Sequence, residues 1–216
     1  MRWVLIPVFL LLAVAATWAW TRLAPANEPG TDQVLRSKLA LEKIGVATKM
    51  LQSGDLVLRM GSDATSYIFS RFNSVDPTYS HCGIAWIEDG RPVIYHSIGG
   101  EDNPDEKLRR EEVTQWFSPE NNLRFAIVRY PLDSSQLADL HRFLRKKFED
   151  SCRFDMDFDL STDERMYCAE LVYKAYNQVF KPEKTLQPVQ RYGFTYVAID
   201  NLYRHPDASF ICRTKF

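Results

Sequence analysis

Two apolar runs, Ser80–Ile87 and Arg91–Ile98, are joined by Glu88-Asp89-Gly90, and this arrangement fixes more of the fold than any other feature of the chain. Asp-Gly suits the positive-φ turn that links antiparallel strands, so the two runs are expected to pair as a hairpin. Strand alternation then puts Ser80, Cys82, Ile84 and Trp86 on one face and His81, Gly83, Ala85 and Ile87 on the other. With the turn centred on Asp89-Gly90, position 96 falls near position 83. His96 is thereby diagonal to His81, close enough for the two imidazoles to hydrogen-bond, and the small residues beside His81 leave room for a partner.

The remaining elements gather around this hairpin. Asp55–Met60 follows the turn Ser53-Gly54 and reads as a short buried strand, and Leu123–Tyr130 as another. Helices are expected near Thr65–Phe72, over Ser134–Phe148 with Leu137, Leu140, His141, Leu144 and Phe148 on one face, and over Cys168–Phe180. Glu101–Phe117 is charged and reads as helix or loop. Arg191–Ala198 reads as extended and Ile199–Tyr203 as a helical turn. Strands in the middle with helices around them give an α+β fold: an antiparallel sheet or small barrel packed against helices.

Residues 3–20 contain no charged side chain, with Arg2 before them and Arg22 after. This length lies between the apolar stretch of a signal peptide, about 7–15 residues, and the roughly 20 needed to span a membrane. Residues 1–26 are therefore expected to be a signal peptide or an N-terminal membrane anchor. Either way the rest of the chain is exported, periplasmic or held at the membrane with the domain outside the cytoplasm. Residues 27–52 read as a linker and leading helix, with Val34, Leu35, Leu39, Leu41 and Ile44 ahead of Gly45, and 53–216 as the main domain. Without residues 1–26 the chain has 25 basic and 28 acidic residues, a net charge of −3. So weakly acidic a domain has no field for phosphate-driven nucleic-acid binding. The four cysteines include no C-x-x-C pair, so neither a disulfide scaffold nor a structural zinc site is expected. Cys152 and Cys212 are left as thiols that an oxidising compartment could pair.

The chemistry centres on MYCAELVYKAY, residues 166–176. Cys168 opens a helix whose inward face continues through Val172, Ala175, Tyr176 and Val179. Unpaired N–H groups and the positive end of the helix dipole favour thiolate over thiol at such a position. The Cys168 backbone N–H is also placed to hold an oxyanion. A thiolate, a histidine that accepts and returns its proton, and a third polar group that fixes the imidazole together make a nucleophilic triad. Cys168, His81 and His96 supply the three residue types.

The chain resembles the circularly permuted papain-like cysteine hydrolases of the YiiX/YebB type, relatives of the NlpC cell-wall peptidases and of lecithin retinol acyltransferase. The matching segments are SGDLVLR at 53–59, YSHCGIAW at 79–86, VIYHSI at 93–98, FDMDFDL at 154–160 and MYCAELVYKAY at 166–176. The order of histidine before cysteine marks the permuted group. The resemblance implies a permuted papain-like, NlpC-like fold with Cys168 as nucleophile, His81 as general base and His96 in the third position. The family often has glutamate at that third place, whereas imidazole is usual in the NlpC relatives. It also commonly has Cys-Ser-Glu where this chain has Cys168-Ala169-Glu170.

Three functions follow from this reading: hydrolysis of an amide or ester bond, on a cell-envelope peptide; lipid deacylation or acyl transfer; or ligand binding without turnover. None requires a cofactor. Tyr79 and Tyr167 are expected to line the substrate pocket or to serve as ordinary aromatic packing. Asp155, Asp157 and Asp159 mimic the start of a calcium loop, but Leu160 replaces its glycine and Met166 its terminal glutamate, so no metal is expected there. His141 is expected in the core, Asp55 at a turn or strand start, and Cys82 buried and turned away from His81.

Overall fold

The computed structural model of the chain describes residues 31–100, 103–191 and 193–216. The expected export segment at 1–26 lies outside the described residues, and among those described no helix is long and apolar enough to cross a membrane. The chain divides into two units, Met1–Lys38 and Leu39–Phe216. Among the described residues the first unit contributes only the opening turns of α1, Thr31–Met50.

The second unit is α+β. Its sheet is built from β1 (Leu56–Gly61), β2 (His81–Glu88), β3 (Arg91–His96), β4 (Arg109–Glu112), β5 (Asn122–Arg129) and β8 (Ser209–Lys215). These lie in the order β4-β3-β2-β1-β5-β8 with all neighbours antiparallel, so the sheet is open and not a closed barrel. The hairpin forms about Asp89 and Gly90, both at positive φ, and β2 pairs with β3 through Ile84↔Tyr95 and Trp86↔Val93. The charged stretch expected as helix or loop yields β4 and a short helix α3, Val113–Trp116. Edge strands tolerate charge because one side stays in water, and that is how Arg-Arg-Glu-Glu pairs with β3.

The two sheet faces carry different layers. On one, Leu56, Leu58, Cys82, Ile84, Trp86, Ala126 and Val128 pack under α4 (Ser134–Glu149) and α5 (Cys168–Val179). Leu140, Leu144, Val172, Ala175 and Tyr176 are fully buried there, each large apolar side chain stabilising by about 1.5–3 kcal/mol. On the other, Val57, Ala85, Ile94, Phe125 and Ile127 pack with Ile44, Ala47 and Leu51 and with Trp116 and Phe117. Gly45 does not end α1, because burial of Ile44, Ala47 and Leu51 offsets the roughly 1 kcal/mol a mid-helix glycine costs. A hairpin of β6 (Val189–Arg191) and β7 (Phe194–Tyr196) and a short helix α6 (Ile199–Tyr203) complete the unit with α2, Ala64–Ser70.

Asp55, expected at the strand start, is buried and clamped by Arg129 through Nε to Oδ1 at 2.7 Å and Nη2 to Oδ2 at 2.8 Å. The four cysteines are free thiols. Cys152 belongs to one face's core and Cys212 packs against the other, so these two do not meet. His141 lies flat on Trp86, ring centroids 4.3 Å apart, as a packing residue at the core's margin.

Candidate active site

The hairpin brings the two histidines together. His81 opens β2 and His96 closes β3, and His81 Nε2 lies 3.0 Å from His96 Nδ1. Gly83 makes this approach feasible, since a Cβ there would lie 2.8 Å from the Tyr95 carbonyl oxygen and 3.0 Å from His96 Cβ. The rings meet edge to face, and Trp116 packs against both with centroids at 5.1 and 4.7 Å. The Arg59 guanidinium covers the Trp116 ring at 4.5 Å.

The charged run adds a member that residue spacing did not reveal. Glu111 of β4 reaches under the pair, its Oε2 3.4 Å from His96 Nε2, which has no hydrogen-bond partner of its own. The distance is that of an electrostatic contact and slightly long for a hydrogen bond. An ionised carboxylate there favours the proton on His96 Nε2. His96 Nδ1 then accepts from His81 Nε2–H, and the lone pair of His81 is left on Nδ1. Burial, then the charges of Arg59 and His96, hold the His81 pKa well below its ordinary value. Burial also lowers His96, with Glu111 opposing. Burial would raise Glu111, but the His96 contact and the nearby Arg59 and Arg109 charges keep it below the usual carboxylate range. At neutral pH the pair is therefore neutral imidazole backed by a carboxylate.

Cys168 begins α5, as the apolar spacing predicts, and is half-buried. Its neighbour is Cys82, the residue after His81. The Cys82 thiol donates to the Cys168 sulfur. Against the opposing effect of burial, the backbone N–H groups of Cys82, Ala169 and Cys168 add to it, and the Cys168 thiol is held below its ordinary pKa. Burial, with the Cys168 sulfur beside it, pushes Cys82 well up. Ser97, the residue after His96, donates its hydroxyl to the Met166 carbonyl at 2.6 Å. The N-terminus of α5 is thus stitched to the ends of both histidine strands. Among the described residues no hydrogen bond joins Cys168 to His81; the thiol rests on Cys82 instead.

The two tyrosines belong to the core. Tyr79 is buried edge-to-face against Tyr203 at 5.5 Å, with its pKa pushed up to about 12 by burial. Tyr167 is buried and its hydroxyl accepts the Val197 N–H at 2.7 Å, so its ring anchors the start of α5 and does not line an open pocket. Asp155 is buried and accepts the N–H groups of Asp157 at 2.9 Å and Asp159 at 2.6 Å, which uses its oxygens to shape the acidic-aromatic loop.

Glu170 is fully buried on the first turn of α5, where Oε2 accepts the Tyr167 N–H at 3.3 Å and Lys174 Nζ lies 3.0 Å from Oε1. Burial outweighs Lys174 and raises its pKa from 4.5 to about 7. Between those values the native state keeps a proton that the unfolded chain has lost, so stability is full below the lower value and falls as pH rises through the upper. Wild-type protein should lose about 3 kcal/mol of stability across this window through Glu170. Glu170→Gln keeps an acceptor for Tyr167 and should flatten the pH dependence in denaturant unfolding; an unchanged slope would refute the assignment.

No family model and no curated protein matches the chain. Among solved structures it is similar to the crystal structure of the metalloprotein yiiX from Escherichia coli O157:H7. The TM-score is 0.62 over 77% of this chain and 99% of that one, at 16% sequence identity. The chain therefore has a YiiX-like fold, and at this identity the likeness extends to the fold alone.

Proposed function

We propose that the chain is a cysteine hydrolase that cleaves an amide or ester bond through a thioester on Cys168. The observation that carries this reading is the Cys168 thiol at a helix N-terminus, cradled by backbone N–H groups and a donating thiol, beside the strand that opens with His81. The thiol rests on Cys82, the residue next to His81, and catalytic hydrogen bonds often form only when substrate is bound.

In the proposed reaction His81 Nδ1 takes the thiol proton as sulfur attacks the carbonyl carbon. The tetrahedral oxyanion is held by the Cys168 N–H. Its collapse breaks the bond to the amine or alcohol, which leaves with the proton from His81. Water, deprotonated by His81, then attacks the thioester and releases the acid and the free thiol. His96 orients His81, and Glu111 favours the tautomer that leaves Nδ1 free. The permuted papain-like and NlpC-like relationship and the export of the domain belong to the same proposal.

The structural neighbour is named a metalloprotein. His81 Nε2 and His96 Nδ1 lie within hydrogen-bond distance of each other at 3.0 Å, so these two nitrogens are engaged with one another. Among the described residues no group of three or more His, Cys, Asp or Glu side chains is placed to hold one. The described residues of this site do not fit a metal.

The test is to trap the acyl-enzyme. Brief exposure of the full-length chain to p-nitrophenyl acetate, acid quench and peptide mass mapping should find an acetyl group on Cys168. Acetylation spread over surface lysines with none on Cys168 would overturn the reading.

A further inference from the structure

The sheet ends on an open strand. β8 pairs with β5 on one side, and among the described residues no strand lies on its other side. An edge of seven residues without proline is a template for another strand. Which groups point outward follows from the ladder. The Phe216 N–H donates to the Leu123 carbonyl at 3.1 Å, so by alternation Phe216, Thr214 and Cys212 direct their backbone groups to β5, while Arg213 and Lys215 direct theirs away from it. The Lys215 carbonyl accordingly accepts Lys43 Nζ of α1 at 2.7 Å. Ile211 is bulged out of the register and has no partner on β5.

The helix beside this edge is only half covered. In α1 the stripe Ala40, Ile44 and Ala47 is buried, whereas the neighbouring apolar side chains Leu39, Val46 and Met50 are 48%, 50% and 42% exposed. They line a groove of about 430 Å³ whose other wall is residues 211–214 of β8. An exposed apolar stripe along an open strand edge marks an interface.

We infer that β8 pairs antiparallel with β8 of a second copy of this chain, about a two-fold axis through Cys212, with the two α1 helices flanking the seam. Cys212 is the middle residue of the strand, so this register overlaps the two strands completely. It sets Arg213 opposite Ile211 and Lys215 opposite Ser209. Centring the axis on Arg213 would oppose like charges, which destabilises a strand pair. Antiparallel pairing keeps both α1 helices on one face of the joined sheet, where their exposed apolar stripes leave water together in an isologous contact. The free thiol of Cys212 lies on that face, packed against the same cluster as α1. On the axis it falls in a non-hydrogen-bonded pair, which brings the two Cα atoms to about 4.5 Å, within the roughly 4.4–6.8 Å that a disulfide spans.

That thiol reports the register. The full-length chain is incubated with oxidised glutathione, which takes up the two electrons and two protons released as two thiols form one disulfide, then digested without reduction and mapped by mass. A peptide joined through Cys212 to Cys212 should be the main cross-link, and sedimentation equilibrium of the reduced chain in density-matched detergent should show a dimer. Arg213→Pro removes an outward N–H and leaves the β5 ladder intact. Val46→Glu sets two like charges across the seam from an exposed helix position. Each enters the interface twice and should weaken dimerisation at least about tenfold, with circular dichroism unchanged. A monomer, or Cys212 found only as a mixed disulfide with glutathione, would overturn the pairing. A dimer that both variants leave unchanged would lie on another surface and overturn it likewise.

Discussion

Replacing Cys168 with alanine is expected to lower ester turnover by at least about a thousandfold and to abolish acyl labelling. The size follows from the role: without the nucleophile only binding and the oxyanion donors remain. Cys82 cannot substitute, because burial holds its proton in place. Cys168→Ser should be almost as inactive, since a hydroxyl in the same cradle begins many pKa units higher and stays protonated. Both variants should fold, because the side chain is half-buried and the inward face of α5 is built by Val172, Ala175 and Tyr176. Turnover of p-nitrophenyl acetate with circular dichroism on the same samples reads both points. Wild-type turnover in a folded Cys168→Ala would remove the nucleophile from the account.

The second large effect is expected at His81. His81→Ala should reduce kcat about a hundred- to a thousandfold, the loss of a general base that also returns the proton to the leaving group. Because burial and the Arg59 charge hold its pKa well below the ordinary value, His81 stays an unprotonated base across neutral pH. The acid limb of the wild-type pH profile should therefore lie below the ordinary histidine range. Added imidazole should restore part of the activity of His81→Ala, since deletion leaves space beside Trp116. Glu111→Gln should cost less, about tenfold, because it removes the bias toward the reactive tautomer and leaves both rings in place. A Glu111→Gln effect as large as that of His81→Ala would mean the carboxylate acts on substrate directly.

What the sequence made legible was local. The Asp89-Gly90 turn fixed the register of β2 and β3, so the meeting of His81 with His96 at 3.0 Å could be read from spacing. The apolar spacing after Cys168 places the thiol at the first turn of α5, and residue type alone points to a histidine as the acceptor of its proton. Long-range neighbours were not legible. Glu111 lies in a charged run that looks like loop, and only its pairing with Ile94 on the sheet edge turns it toward His96. Cys82 was expected to be buried and turned away from His81, and it is buried. Yet it is the residue against which Cys168 rests, because α5 meets β2 where β3 has ended and the Cys82 N–H reaches the Cys168 sulfur. The last strand, Ser209–Lys215, is not legible because its alternation is weak and its pairing partner, β5, lies some eighty residues earlier in the chain.

Cys168 is expected to be an activated thiol. The rate of its alkylation by iodoacetamide, followed from pH 4 to 10 on the full-length chain by mass mapping of the Cys168 peptide, measures this directly. The rate should rise with an inflection clearly below the free-cysteine value of about 8.5, while Cys82 in the same digests stays unmodified to the highest pH. An inflection at or above about 8.5 would contradict an activated nucleophile at this site.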